Sequence, residues 1–242
     1  METQKDWFTS WFNTPYYHIL YKDRNDDDAQ FFMQNITQLL QLDKDATIAD
    51  IPCGKGRHSV YLNSLGYNVI GADLSENSIA FAKQFENEKL HFEVCDMRKS
   101  ITKKYDVILN LFTSFGYFED DEDDIAVLKN FKNGLKPNGV SVIDFLNVDF
   151  VKANLVEQET KTIDGINFHI SRKIEDGFII KQISFVANNE DHCYFEKVKY
   201  INLEKFTFYL QNAGLKIKHI FGDYQLSNFD VKTSKRLIFV VS

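Results

Sequence analysis

Proline and cysteine are scarce, with three of each in 242 residues. So little proline leaves no Pro-rich tail or linker, and the composition is that of an ordinary globular chain. Cys53, Cys95 and Cys193 are odd in number and far apart, with no C-x-x-C pair and no histidine at ligand spacing. Neither a disulfide framework nor a zinc site is supported, and no metal is expected. Positive charge is also in deficit: 28 Lys and Arg against 35 Asp and Glu leave a formal charge of -7. That disfavours nucleic acid as a partner. Long apolar runs are missing too. The aromatic opening "METQKDWFTSWFNTPYYHILYKDRNDDD" is broken by charges and Pro15, so it has neither the apolar centre of a signal peptide nor a membrane span. The expectation is a cytoplasmic protein with no membrane partner, and no internal repeat is present.

What is there is an alternation. Trp7, Phe8, Trp11 and Phe12, then Tyr16, Tyr17, Ile19, Leu20 and Tyr21, fit two short helices either side of Pro15. Asp26 to Asp28 sit ahead of Phe31, Phe32, Ile36, Leu39 and Leu40, an acidic helix start. From Thr47 short apolar runs alternate with helical segments: "TIADI", "NVIGADL", "LHFEVCD", "YDVILNLF" and "VSVIDFL" read as strands, with helices over 57–65, over 76–85 capped by Ser75, and through Ile125, Leu128, Phe131 and Leu135. Such alternation implies right-handed crossovers and a doubly wound, mostly parallel α/β sheet. From Asn147 to Tyr200 it stops. "INFHISRKI", "FIIKQISFV" and "CYFEKVKYI", separated by "EDG" and "NNED", read as an inserted antiparallel β-meander. A helix ending at Gly214 and the pair "LKIKHIF" and "RLIFVVS" close the chain. The expected units are N-terminal helices over 1–44, a core from 45–146 and 201–242, and the insert 147–200, serving as a substrate lid or a homodimer contact.

The chemistry gathers around "ADIPCGKGRHSVYL". A glycine turn between a strand and a helix converges backbone N–H groups and the positive helix end on one anionic group. In dinucleotide enzymes that group is pyrophosphate over G-x-G-x-x-G, but Ser59 stands where the third glycine belongs. A P-loop lacks its spacing altogether. Asp50, four positions before Gly54, would repel pyrophosphate yet suits an ammonium or sulfonium. Asp73, 19 positions beyond Gly54, is placed to accept from ribose hydroxyls. A ribose, a positive group and one carboxylate describe S-adenosylmethionine. The bland readings are that Asp50 caps the helix and Asp73 ends a strand.

With "VCDMRK" and "YDVILNLFTSFGYF" behind it, "IADIPCGKGRHSVYLNSLGYNVIGADLSENSIAFAK" resembles the class I S-adenosylmethionine-dependent methyltransferases. It is most similar to their small-molecule branch with D-x-x-C-G-x-G-R-H-S and G-x-D-L-S signatures. The resemblance covers about residues 45–146 and implies a seven-stranded Rossmann-like sheet. It implies that Asp50 and the carbonyls near Pro52 and Cys53 face the methionine ammonium. Gly54 and Gly56 let the backbone approach, Asp73 takes the ribose diol, and Leu74 stacks beside adenine. Asp96 and Met97 receive the adenine edge, and Asn110, Leu111 and Phe112 border the sulfur. Arg57, Arg24, Tyr17 and Tyr21 are the candidates for the methionine carboxylate. Pro52 departs from the family's more usual glycine and removes a backbone donor.

Methyl transfer is an in-line displacement, so alignment and exclusion of water matter most. Phe115, Gly116 and Tyr117 follow the fourth strand at the carboxyl edge, where open α/β sheets bind ligands, and are candidates to line the acceptor site. Tyr117 and His169 are weak candidates for a base, which is needed only if the acceptor arrives protonated. "EDDEDD" from Glu119 to Asp124 fits an acidic first helical turn, or a lure for a cationic acceptor. The expected activity is methyl transfer to nitrogen or oxygen of a small molecule. An NAD-dependent oxidoreductase and a non-catalytic cofactor-binding or interaction module are the alternatives.

Overall fold

The computed structural model describes residues 7–22 and 26–242. The sheet at its centre has seven strands in the order β3-β2-β1-β4-β5-β11-β10. These are β1 (Thr47–Asp50), β2 (Asn68–Asp73), β3 (Leu90–Val94), β4 (Tyr105–Asn110), β5 (Leu135–Leu146), β10 (Ile217–Phe221) and β11 (Arg236–Val241). The first five run parallel, and β11 pairs antiparallel with both β5 and β10. From β1 the chain moves outward through β2 and β3, then returns to β4 on the other side. Strand order therefore reverses between β1 and β4, and a ligand crevice is expected beyond their carboxyl ends.

The helices are α1 (Trp7–Phe12), α2 (Pro15–Leu20), α3 (Asp26–Leu39), α4 (Arg57–Ser64), α5 (Glu76–Ala82), α6 (Asp121–Gly134), α7 (Val148–Ala153) and α8 (Leu203–Asn212). Local chemistry fixes their starts. The Thr14 hydroxyl accepts from Tyr17 N–H ahead of Pro15, Ser75 caps α5 through Ser78 N–H, and Asn202 caps α8 through Lys205 N–H.

The segment after Asn147 forms a second, antiparallel sheet of four strands: β6 (Gln158–Ile163), β7 (Ile166–Glu175), β8 (Phe178–Ala187) and β9 (Glu190–Lys199). Its three two-residue turns, Asp164-Gly165, Asp176-Gly177 and Asn188-Asn189, all have positive φ at both positions, the geometry that matches strand twist in tight hairpins. The meander is thus one strand longer than expected. Gln158–Ile163 is mostly exposed and polar, so it carries no apolar alternation to announce it. Phe168, Ile170, Ile183 and Phe185 of this sheet are buried in one apolar cluster with Trp7, Phe8 and Trp11.

A buried ion pair fastens the second sheet to α6, which packs against β4 and β5 of the first. Lys199 Nζ reaches Asp124 Oδ2 at 2.6 Å and Asp121 Oδ1 at 2.9 Å, with the Asp124 side chain fully buried. Burial opposes the charge on Lys199, but its two carboxylate partners outweigh that and raise its pKa. Lys199 N–H also donates to Gly116 O at 2.7 Å, so β9 grips the loop after β4. Asp121 and Asp124 of the acidic run are accordingly tied up in this contact. Lys199→Ala leaves Asp124 buried without its cation and is expected to cost about 3–5 kcal/mol of stability. Urea denaturation measures it, and a loss well under 1 kcal/mol would show that the two sheets are joined by apolar packing alone.

Candidate functional site

The crevice at the switch point is a cavity of ≈ 730 Å³, within the range of about 300–1,000 Å³ usual for small-molecule sites. One wall is the turn after β1. The Ile51-Pro52 peptide is cis, Cys53 N–H donates to Ala72 O at 2.9 Å, and Gly56 N–H donates to Cys53 O at 3.0 Å. Gly54 has φ +56, and a Cβ there would meet nothing within 4 Å. Its backbone thus faces open space in a conformation that glycine adopts without strain. Gly54 N–H donates to Asp73 Oδ2 and Ser75 N–H to Asp73 Oδ1, both at 2.8 Å, which fixes the Asp73 carboxylate at the cavity wall. Burial raises the Asp73 pKa, and those N–H bonds oppose the rise.

Next to Asp73 the wall continues through Leu74, whose side chain is exposed to the cavity, then Cys95, Asp96 and Met97. Burial would raise the Asp96 pKa, but bonds from the Arg98 guanidinium and backbone hold it below its usual value. Asp96 is therefore an anion fixed in place. Pro52, Cys53, Arg57, Leu111, Phe112, Tyr17, Tyr21 and Tyr117 also line this cavity.

Other expected residues lie elsewhere. Asp50 is buried and does not line the cavity; its Oδ2 accepts from Ser59 Oγ at 2.6 Å, and its Oδ1 has no partner among the described residues. Gly56 (φ +83) does not face a ligand either: an added Cβ would meet the Phe92 ring at 2.6 Å, so this glycine serves helix-to-strand packing, and valine there would disturb the fold itself. Asn110 is fully buried and donates to Ile51 O at 2.9 Å and Ser114 O at 3.2 Å, bracing the turn from beneath. Phe115 is fully buried against Phe206, and Gly116 packs on Ile201 and Lys199, so neither lines the cavity. His169 is exposed on β7, beside Thr160 at 3.1 Å, and outside the cavity. The strand alternation that buries Phe168 and Ile170 turns it outward. Arg24 lies outside the described residues. Tyr21 donates to Glu196 and receives from Lys181.

Several residues of the site carried no signal that sequence reasoning picked up. Trp7, Phe8 and Phe12 of α1 and Glu196 and Val198 of β9 wall the cavity opposite the turn, beside the expected Tyr17. Trp7 packs edge-on against Phe12 and Tyr117. Trp11 Nε1 donates to Glu196 at 2.9 Å. On the β4 side, Phe112 (φ 57) and Thr113 (φ 64) are successive left-handed residues, a conformation that costs a β-branched side chain roughly 1–3 kcal/mol. Bonds hold it there. Phe112 N–H donates to Asp144 Oδ2 at 2.8 Å, Thr113 N–H to Asp144 O at 2.9 Å, and Tyr117 hydroxyl to Thr113 O at 2.6 Å. Asp144 is a charge in the middle of the apolar run "VSVIDFL", and that was the one sequence signal available.

These features fit S-adenosylmethionine. An open-faced glycine turn, a fixed ribose-type acceptor at Asp73, the apolar face of Leu74 and the Asp96–Met97 edge run in the order that the nucleoside requires. The methyltransferase domain family matches residues 48–139. Together with the sheet order, this gives residues 48–139 as a methyltransferase domain within the class I S-adenosylmethionine-dependent methyltransferase fold, with S-adenosylmethionine as the cofactor. YqeM of Bacillus subtilis (strain 168), which carries a methyltransferase name, is 25% identical over 203 residues, 79% of this chain and 82% of its own. A glycine/sarcosine N-methyltransferase of Halorhodospira halochloris is 30% identical over 140 residues, 54% of this chain and 50% of its own, so the chain spans about half of that relative. The crystal structure of an S-adenosylmethionine-dependent methyltransferase from Clostridium acetobutylicum ATCC 824 matches with a TM-score of 0.78 at 20% identity, over 94% of this chain and 95% of its own. At that identity the likeness speaks for the fold.

Two outcomes follow from the carboxylates. Asp73→Ala is expected to weaken S-adenosylhomocysteine binding by about 1–3 kcal/mol; titration calorimetry reads it, and unchanged affinity would move the ribose elsewhere. Burial pushes the Asp50 pKa from 3.8 up to about 7, with the Ser59 bond opposing. A raised folded pKa contributes stability that is complete below the unfolded value and lost as pH rises through the folded one. Asp50→Asn should therefore gain on the wild type between about pH 4 and 7, by on the order of 4 kcal/mol at most. Parallel urea-denaturation profiles for the two proteins across that window would assign the titration to another group.

Proposed function

We propose that this protein transfers the methyl group of S-adenosylmethionine to a nitrogen or oxygen of a small-molecule acceptor, with an amine nitrogen as the favoured target. One observation carries the proposal: a single cavity joins the Gly54–Asp73–Asp96 cradle to a compartment walled by Trp7, Phe8, Phe12, Tyr17, Tyr117 and Glu196. A nucleoside cofactor occupies the first part, and a small acceptor meets it in the second.

Bound there, the cofactor supplies a methyl group already activated by positive sulfur. The chain's own residues do the rest. Asp73 holds the ribose hydroxyls, Leu74 and Met97 flank the base, and Asp96 accepts from its amine. Pro52, Cys53 and Gly54 follow the amino-acid end, while Arg57 and Tyr17 are the described candidates for its carboxylate. The strained Phe112–Thr113 turn sets the edge against which donor and acceptor align. The aromatic wall excludes water and keeps the dielectric low. Tyr117, its proton held by Thr113 O, accepts from an acceptor N–H and orients the nitrogen lone pair. Nitrogen is favoured because the cavity presents the exposed acid Asp28 of α3 to an amine, and because the glycine/sarcosine relative is named an N-methyltransferase.

Incubation of the full chain with methyl-labelled S-adenosylmethionine and a panel of amines, phenols and carboxylates tests this. Label is expected in an amine, and Tyr117→Phe is expected to lower kcat by tenfold or more while cofactor affinity holds. Label confined to phenols or carboxylates would overturn the nitrogen assignment. No transfer to any of them would overturn the small-molecule reading.

A further inference from the structure

Arg236 opens β11 and lines the cavity, yet the cofactor reading has no use for it. Its Nε donates to Asp144 Oδ1 at 2.7 Å, and its Nη2 donates to Thr113 Oγ1 at 3.0 Å. Asp144 is fully buried, and its other oxygen takes Phe112 N–H at 2.8 Å and the Tyr224 hydroxyl at 3.3 Å. The guanidinium plane is thus clamped along one edge, 5.8 Å from the centre of the Tyr224 ring. No described residue accepts from Nη1. A guanidinium has five N–H donors in a rigid fork, so the edge turned away from Asp144 keeps donors to give.

The sheet order says what lies within reach of that edge. Asp73 ends β2 and Asp96 follows β3, on one side of β1, whereas Arg236 stands on β11, three strands from β1 on the other side. At about 4.8 Å per strand the strand itself is roughly 14 Å off. The side chain reaches back to Thr113, at the edge facing the acceptor compartment. Phe112, with His58 stacked on it at 4.7 Å and 3°, stands between Arg236 and the turn after β1. A clamped cation on the β5–β11 side of the cavity, away from Asp73 and Asp96, is placed for the acceptor rather than for the nucleoside. The exposed acid Asp28 lines the same cavity and is near enough to Tyr224 to act on its hydroxyl, which suits a ligand with both signs of charge.

We propose that Arg236 is the anchor for an acidic group on the acceptor, so that the substrate is a small amine bearing a carboxylate or a phosphate. This rests on the small-molecule amine reading above. Asp144 and Thr113 orient the fork, which accepts the anion bidentately while Asp144 keeps the guanidinium charged and still. Lysine at this position would keep a positive charge opposite Asp144 and lose the fork, which separates recognition from folding.

The test uses the full chain saturated with S-adenosylhomocysteine and calorimetric titration of paired probes: glycine with glycinamide, 4-aminobutyrate with its amide, and O-phosphoethanolamine with ethanolamine. In at least one pair the acid is expected to bind tenfold or more tightly than its neutral partner. Arg236→Lys is expected to abolish that preference with S-adenosylhomocysteine affinity intact, and Arg236→Gln to do the same where it folds. Preference in the first two pairs identifies a carboxylate, and preference in the third alone a phosphate. No preference in any pair, or one that survives Arg236→Lys, overturns the proposal. Acids that bind through Arg236 but are never methylated would keep the anchor and refute the amine-methylation reading instead.

Discussion

Each central strand of the sheet ends on, or just before the end has, a polar side chain that grips a loop, and the site depends on those grips. Asp50 of β1 accepts from Ser59 on α4, and Asp73 of β2 takes two N–H groups, one from the turn after β1 and one from its own loop. Asn110 of β4 donates to carbonyls of the turns after β1 and β4, and Asp144 of β5 holds the strained turn at Phe112 together with Arg236. All but Asp73 are almost completely buried. A buried polar group is costly unless its bonds are made, so the segments that bond these four are held in one arrangement, even though Asp50 Oδ1 and Asn110 Oδ1 have no partner among the described residues. That is how a parallel sheet, whose strands are otherwise continuous apolar runs, acquires a rigid polar rim.

The same four residues explain what the sequence disclosed and what it withheld. Strand positions and the glycine turn were legible because apolar runs and left-handed glycines have local signatures. Asp73 was legible because its distance from the turn is set by one helix and one strand. Asp50 was legible as important, with a ligand role and a helix-capping role as its two readings, and the structure gives it the supporting one, as acceptor from Ser59 in the first turn of α4. The serine in the third glycine position weakened the pyrophosphate reading by carrying a side chain, and that side chain proves to be the partner of the strand's acid. Gly56 misled in the opposite way. It was read as room for a ligand, and whether an absent Cβ makes room for a ligand or for Phe92 is a question of tertiary packing.

Long-range contacts account for the rest. Glu196 reads as one of several charges on an exposed-looking strand, and only docking of α1 and α2 against β9 turns it inward to Trp11, Tyr21 and Lys181. Arg236 reads as the polar start of an apolar strand. Its pairing with Asp144 follows from β11 lying antiparallel to β5, with Arg236 opposite Leu146 and Ile238 opposite Asp144, a register set by some ninety intervening residues. β6 was missed because an edge strand exposed to solvent has no buried face to pattern. The Asp-Gly turn that follows it was a usable hairpin signal.

The cavity is therefore built by two parts of the chain under different constraints. The half proposed for the cofactor comes from β1 to β4, inside residues 48–139 that match the methyltransferase domain. The half proposed for the acceptor takes Tyr117 from that span and the rest from outside it: Trp7, Phe8, Phe12 and Tyr17 from the first helices, Glu196 and Val198 from β9, Tyr224 before β11 and Arg236 on it. The cofactor is the same molecule in every member of the class, so its half need only repeat, whereas the acceptor half is free to vary as long as it docks on the same rim. The docking is mechanical and specific here. Lys199 is locked to Asp124 and Asp121, Lys199 N–H to Gly116 O, and Arg236 to Thr113, so both the second sheet and the last strand press on the loop that follows β4. On the function proposed above, recognition of the acceptor and alignment of the methyl group meet at one strained turn, Phe112–Thr113.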